Sequence, residues 1–167
     1  QRTRTCAAFG QLTWDLTQRW SVTPGLRFNV EDKAIDSRGT SSCRTKPVTQ
    51  QCLVQLIVGA SDYDESGIQR DESNLSPKVS VMYRHDDDLS VFATWARGYK
   101  SGGANAISFE GEELEYGPEN ATSVELGVKS HWLDRTLSVN ATAYRMDFDD
   151  LQVLAFNGFF FDVTNAG

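Results

Sequence analysis

"WDLTQRWSVTPGLRFNV", Trp14–Val30, joins two runs of alternating residues through a tight turn at Thr17-Gln18-Arg19. After the turn, Trp20, Val22, Pro24, Leu26, Phe28 and Val30 fall on one side, and Ser21, Thr23, Gly25, Arg27 and Asn29 on the other. A period of two marks a β-strand whose apolar face meets an apolar medium. A protein core and a lipid bilayer both satisfy it, so the choice depends on the rest of the chain.

The alternation recurs with no sustained helical period. Strands are predicted near 6–16, 20–32, 75–84, 89–100 and 122–132, and a sixth begins at Thr136. In the sixth, Leu137, Val139, Ala141 and Ala143 share one parity, after which Tyr144, Met146 and Phe148 take the other; a β-bulge would produce such a flip. A last apolar patch leads into "DVTNAG" and the start of a seventh strand. Pro24 removes a ladder hydrogen bond and calls for a local break or bulge.

The connections alternate in length. Thr17–Arg19, His85–Asp88 and Leu133–Arg135 are short, whereas those near 34–74, 101–121 and 149–162 are long. Transmembrane β-barrels are built this way, with tight periplasmic turns and long extracellular loops. Trp14, Trp20, Tyr83 and Trp132 stand beside the short turns, and Trp95 near the far end of its strand, as aromatic belts at two membrane interfaces would require. Ten steps from Trp20 to Val30, at roughly 3.3 Å each and a tilt of about 40°, climb on the order of 25 Å, the height of a barrel's apolar band. On the polar faces, Arg27, Lys78, Arg84, Lys100, Glu125 and Lys129 are the candidates for lining a lumen.

Composition agrees. At 167 residues, 40% hydrophobic, the chain suits a single folded unit. No run approaches the roughly 18 apolar residues of a membrane helix, and the mean hydropathy of -0.41 fits strands that show lipid only half their residues. The net charge of -7 argues against nucleic acid as a partner.

Few residues suggest chemistry. Cys43 and Cys52 are separated by eight residues in a polar stretch, either as a disulfide or as two free thiols, and Cys6 reads as a small apolar strand residue. "DYDESG" sets Asp62, Asp64 and Ser66 at positions 1, 3 and 5 of a calcium loop, but position 12 is Ser73 rather than Glu. His85 and His131 have no partner at metal-ligand spacing and read as solvated turn residues. Gly102-Gly103 follows a strand but opens no helix, which excludes a phosphate cradle. Glu110, Glu112, Glu113, Glu115 and Glu119 form an acidic loop, read as a solvated surface or a contact for a cationic ligand. No nucleophile and base can be placed together, so an enzyme is not expected, nor is a cofactor.

The segments "AAFGQLTWDLTQRWSVTPGLRF", "FATWARGYKSGGANA", "ENATSVELGVKSHWLDRTLSVNATAYRMDFDDLQVLAF" and "VTNAG" resemble the barrel domain of TonB-dependent outer-membrane receptors. Arg97–Gly103 and Pro118–Gly127 are the most specific parts. The resemblance implies a 22-stranded barrel around an N-terminal plug, in the outer membrane of a Gram-negative bacterium. It further implies import of a scarce nutrient such as a ferric siderophore, without chemical conversion, driven by TonB–ExbB–ExbD acting through the plug. Residues 1–167 then form an all-β, antiparallel up-and-down segment of that barrel, lacking the plug and too short to close alone, either a piece of a larger receptor or a truncated gene product. The competing reading is a secreted soluble β-sandwich acting as a binding or adhesion module, whose apolar faces pack against one another. The barrel reading predicts that the isolated polypeptide requires detergent. A soluble monomer with a native-like β spectrum in plain buffer would favour the sandwich.

Overall fold

The computed structural model of the chain describes residues 2–39, 63–105, 115–156 and 161–167. Their regular structure is entirely extended: β1 (Arg2–Gln11), β2 (Trp14–Asp15), β3 (Trp20–Gly39), β4 (Tyr63–Arg84), β5 (Leu89–Lys100), β6 (Gly103–Ala104), β7 (Glu115–Tyr116), β8 (Glu119–Trp132), β9 (Leu137–Asp149), β10 (Leu151–Phe156) and β11 (Phe161–Ala166). The long strands form one antiparallel sheet in the order β1-β3-β4-β5-β8-β9, with β2 prolonging β1 beside β3. This is an up-and-down meander, and it does not close on itself. The strand at the C-terminal end, β11, pairs with β10 in a separate ladder rather than extending the main sheet.

Register keeps the two faces distinct. Trp20↔Tyr83, Val22↔Val81, Pro24↔Val79, Leu26↔Pro77 and Phe28↔Leu75 stand opposite one another, as do Val79↔Trp95, Val81↔Ala93, Trp95↔Val124 and Ala93↔Leu126. Directly opposed residues share a face, so these form one continuous apolar surface. Among the described residues no second sheet covers it: Leu26, Phe28, Trp95, Val124 and Leu126 are between 41% and 58% exposed, and Ile35 is the one buried hydrophobic. Strands β4, β5 and β8 are interior to the sheet, so this exposure is not an edge effect. The face-to-face packing of a sandwich is absent from the described residues.

Pro24 is accommodated by a break without a bulge. Leu12 N–H donates to the Pro24 carbonyl at 3.1 Å, and the residue that would return that bond has no N–H to give. Strand pairing therefore lapses at Leu12 and Thr13 and resumes at Trp14↔Val22, with no residue inserted on either side. Because the N–H and C=O of one residue point to the same neighbour, the β4 side of Pro24 is unaffected.

The bulge expected after Ala143 is also absent. Pairing of β8 with β9 runs unbroken from Trp132↔Leu137 to Asn120↔Asp149. Arg145, Asp147 and Asp149 thus continue the face of Ala141 and Ala143, and Tyr144, Met146 and Phe148 turn to the polar face. The parity flip reflects a change of surroundings at constant geometry: opposite this end of β9 the apolar face of β8 has given way to Thr122 and Asn120. A bulge does occur between Ile35 and Ser37, where Asp36 faces both Ser66 and Gly67. Gly67 takes φ +84° there, and its N–H donates to the Asp36 carboxylate at 3.0 Å.

The short turns carry their own hydrogen bonds. The Thr17 hydroxyl accepts from the N–H groups of Arg19 and Trp20 at 3.1 and 3.0 Å, and the Asp86 carboxylate accepts from those of Asp88 and Leu89 at 2.8 Å each. Leu133, Asp134 and Arg135 make the third turn, all at positive φ, and Arg135 reaches across to Asp88 at 2.7 Å. Asp86→Ala is expected to lower the stability of the full-length protein by about 1 kcal/mol, with a matching loss for Thr17→Ala, read from denaturant midpoints. Equal midpoints for wild type and both variants would show that the turns are held by the sheet alone.

Candidate functional site

The ladders place the sequence-derived candidates. Trp14, Trp20, Tyr83, Trp95 and Trp132 all fall on the apolar face, and the rings of Trp20 and Tyr83 stack with centroids 4.8 Å apart. Arg27, Lys78, Arg84, Lys100, Glu125 and Lys129 all fall on the opposite face. Arg84 and Lys129 come together there with Asp15 around a cavity of about 480 Å³, and the others are spread along the face. Arg27 bonds Asn29 at 2.9 Å and lies over the Phe9 ring, Lys129 lies over Phe92, and Lys100 stands 3.9 Å from Glu119. Cys43, Cys52 and Asp62 lie outside the described residues. The backbone of Asp64 and Ser66 belongs to β4, beside the Gly67 bulge.

A site the sequence reading did not assemble stands at the end of the sheet remote from the short turns. Its origin is local. Arg84 N–H donates to the Arg19 carbonyl at 2.7 Å, which sets the phase of the β3–β4 ladder: odd-numbered β3 residues bond β4, and even-numbered ones bond β1. Pro77, opposite Leu26, therefore directs its nitrogen toward β5, where it cannot donate. The β4–β5 ladder stops at the next residue, Lys78↔Ala96. Beyond that point β5 continues along β8 alone, through Lys100↔Glu119.

Charged groups and the Arg97–Gly103 run fill this end. Glu31 and Glu72 oppose each other on β3 and β4, as do Lys33 and Arg70. Lys33 pairs with Glu31 at 2.8 Å, and Arg70 with Glu72 and Glu115 at 2.8 Å each. Tyr99 donates its hydroxyl to Glu72, which also accepts from the Gly102 N–H at 3.2 Å. Lys33 donates to the Ser101 hydroxyl and the Gly102 carbonyl at 2.7 and 2.6 Å, and Ser101 donates to Glu31 at 3.0 Å. Glycine is required at 102, where a Cβ would lie 2.5 Å from the Tyr116 carbonyl oxygen and 2.8 Å from Arg70 Nη2. Gly103 packs just as closely on the Tyr116 ring.

The β10–β11 hairpin closes over this lattice. Asp150, at φ 56°, turns the chain out of β9. Gln152 then donates to the carbonyls of Ser101 and Gly117 at 3.0 Å each, and Asn165 both accepts from and donates to Gly117. Asn105 exchanges two hydrogen bonds with Val163.

The electrostatics follow from the pairing, all of it beyond the apolar band. Burial disfavours the Glu72 carboxylate, but hydrogen bonds from Tyr99, Arg70 and Gly102 outweigh it and hold the group below the usual carboxylate range. Burial and the nearby Glu72 push the Tyr99 hydroxyl well above its ordinary value, which keeps it a proton donor. The lattice offers fixed charges and hydrogen-bond groups, among them the Ser101 hydroxyl held between Lys33 and Glu31. Chemically it can hold loops in place and present charge to a solute. The sequence marks Arg97–Gly103 as distinctive without its role, and it does not reveal Glu31, Lys33 and Glu72 as a site because the loop residues Ser101 and Gly102 that join them lie about 30 to 70 residues away.

The family described as "TonB dependent receptor-like, beta-barrel" matches residues 1–167. The pesticin receptors of Yersinia enterocolitica and Yersinia pestis are 28% identical over 141 residues, covering 84% of this chain and 18% of theirs. The ferric yersiniabactin uptake receptor FyuA from Yersinia pestis superposes with a TM-score of 0.74 at 22% identity, over 99% of this chain and 22% of its own. The ferric-catecholate import receptor Fiu from E. coli K12, in its closed form, gives 0.66 at 19% identity, over 96% of this chain and 23% of its own. This chain thus spans about a fifth of the length of these relatives. It belongs to the TonB-dependent receptor family, as a stretch of the β-barrel domain.

Proposed function

We propose that the chain is part of the transmembrane barrel of an outer-membrane receptor of a Gram-negative bacterium, one that captures a ferric siderophore at its outer mouth and imports it unchanged. In this reading the apolar face meets outer-membrane lipid, the polar face lines the lumen, and the stretches near 34–74, 101–121 and 149–162, with the strand ends they contain, are extracellular. TonB–ExbB–ExbD supplies the energy through a plug outside this chain. The observation that carries the reading is a six-stranded meander with an uncovered apolar face and a polar face topped by the charged lattice around Glu72. The relatives named for ferric yersiniabactin and ferric-catecholate uptake favour an iron chelate. So does the polar wall below the lattice, where Arg27, Lys78, Arg84 and Lys129 face Asp15 and Glu125, a cationic excess that suits an anionic ligand.

The direct test uses the full-length receptor in its host. Deleting the gene is expected to abolish growth on at least one ferric siderophore supplied as sole iron source, with growth on ferrous iron retained. Full growth on every ferric siderophore tried would contradict the assignment. In the purified receptor, Arg27→Glu with Lys78→Glu is expected to slow association of an anionic ferric chelate about tenfold at low salt, read by stopped-flow quenching. An unchanged rate would remove the polar wall from the ligand path.

The lattice is expected to respond to acid. The Glu72 carboxyl is depressed in the folded state, so its stabilisation is complete above its ordinary value of 4.5 and is lost as pH falls through the lower folded value. Exchange protection of the Gly102 amide should fall over that acidic range in wild type. It should already be weak at neutral pH in Gly102→Ala, whose added Cβ meets the Tyr116 carbonyl. Protection independent of pH would show that Glu72 does not hold this loop.

A further inference from the structure

At the β1–β3–β4 end of the apolar side, four charged side chains lie outside the lattice and take no part in it. Arg4, Asp32 and Asp71 stand in one row across β1, β3 and β4, through Arg4↔Asp32 and Asp32↔Asp71, and Arg2 stands one step further out, opposite Ala34 and in line with Gln69. Their parity is that of Cys6, Ala8, Leu26, Phe28 and Val30, so they continue the apolar face. At two residues beyond Val30, the row lies roughly 5 Å above the top of the apolar band.

The local chemistry is unresolved within the sheet. All four side chains are exposed, and none makes a hydrogen bond or ion pair among the described residues. The phase set by Arg84 and Arg19 makes Asp32↔Asp71 a non-hydrogen-bonded pair, the closer of the two antiparallel arrangements. Two carboxylates directly opposed in such a pair repel unless something cationic or hydrogen-donating stands between them. Arg2, Arg4, Asp32, Gln69 and Asp71 line a depression of about 230 Å³. It is open to the side that the apolar band faces.

We propose that this depression docks the headgroup of an outer-leaflet lipid, with a lipid phosphate taken by Arg2 and Arg4 and the hydroxyl or ammonium donors of the same headgroup taken by Asp32 and Asp71. The inference rests on the lipid-facing reading of the apolar surface. Three features favour a lipid over a solute ligand. The site lies on the outside of the sheet, on the face opposite the charged lattice and meeting it at Lys33, which also lines the depression. It is continuous with the apolar band that would meet the acyl chains, and it sits at the height where headgroups begin. Its mixture of signs suits a headgroup bearing both anionic and donor groups, whereas a purely cationic patch would bind any anion.

The test uses the full-length receptor in detergent micelles doped with diphosphoryl lipid A, its dephosphorylated form or phosphatidylcholine, with retained lipid counted by native mass spectrometry. Wild type is expected to retain the diphosphoryl lipid preferentially. The variant Arg2→Gln with Arg4→Gln should bind it about thirtyfold more weakly and lose the preference for phosphate. Asp32→Asn with Asp71→Asn should bind more weakly while keeping that preference. Equal retention by wild type and the arginine variant would overturn the proposal, as would displacement of the lipid by millimolar inorganic phosphate, which would assign the arginines to a free anion. Failure of the wild-type receptor to insert into bilayers would instead overturn the barrel reading itself, and it registers as lost insertion rather than lost lipid selectivity.

Discussion

Antiparallel register carries this structure. Each strand fixes the parity of its neighbour, so the apolar residues of β3, β4, β5 and β8 fall on one face through 35 opposed pairs with no slip between the short turns and the Gly67 bulge. A one-residue slip would invert a whole strand and put Arg27 or Lys78 on the apolar face. The Thr17 and Asp86 turns hold the β2–β3 and β4–β5 pairings in phase by tying down backbone donors. With one buried hydrophobic among the described residues, no interior packing could correct an error. Order within the sheet comes from the ladder, and the apolar face is left for a medium outside the chain.

Two prolines shape what the ladder builds. Pro24 faces β1 and costs one bond there, which interrupts that strand at Leu12 and Thr13 without altering register. Pro77 faces β5, and the ladder on that side ends beside it. The separation of β4 from β5 coincides with the place where Tyr99, Ser101 and Gly102 reach the charged residues of β3 and β4. A missing N–H thus opens the sheet where the lattice forms, and paired charges with loop backbone take over from ladder hydrogen bonds. The sheet and the mouth are in this sense two outcomes of the same donor accounting.

The sequence made the strands legible wherever one face was uniformly apolar. Leu89–Lys100 matches its predicted limits, and Trp20 and Trp132 begin and end strands as expected. It fell short above the apolar band, where both faces are polar and alternation carries no signal. There β3 and β4 run on to Gly39 and Tyr63 through a stretch that reads as loop, and β9 keeps its register although its apolar parity changes. The lattice was hidden for another reason. Glu31, Lys33, Arg70 and Glu72 look like ordinary surface charge until the meander brings Tyr99 and Ser101 beside them, and local spacing cannot report such a contact. The glycines of Arg97–Gly103 were the visible trace, since close approach to Tyr116 and Arg70 admits no side chain.

The central claim is that the apolar face of this sheet meets lipid and the opposite face meets water. Nitroxide labels at single cysteines in the full-length receptor, with Cys6, Cys43 and Cys52 replaced and the protein reconstituted in bilayers, test it directly. Labels at Leu26, Val79 and Val124 should relax with dissolved oxygen, and labels at Gly25, Lys78 and Thr94 with a water-soluble nickel chelate, alternating residue by residue along each strand. Equal access of the nickel chelate to both sets, or its exclusion from both in favour of a packed interior, would contradict the account.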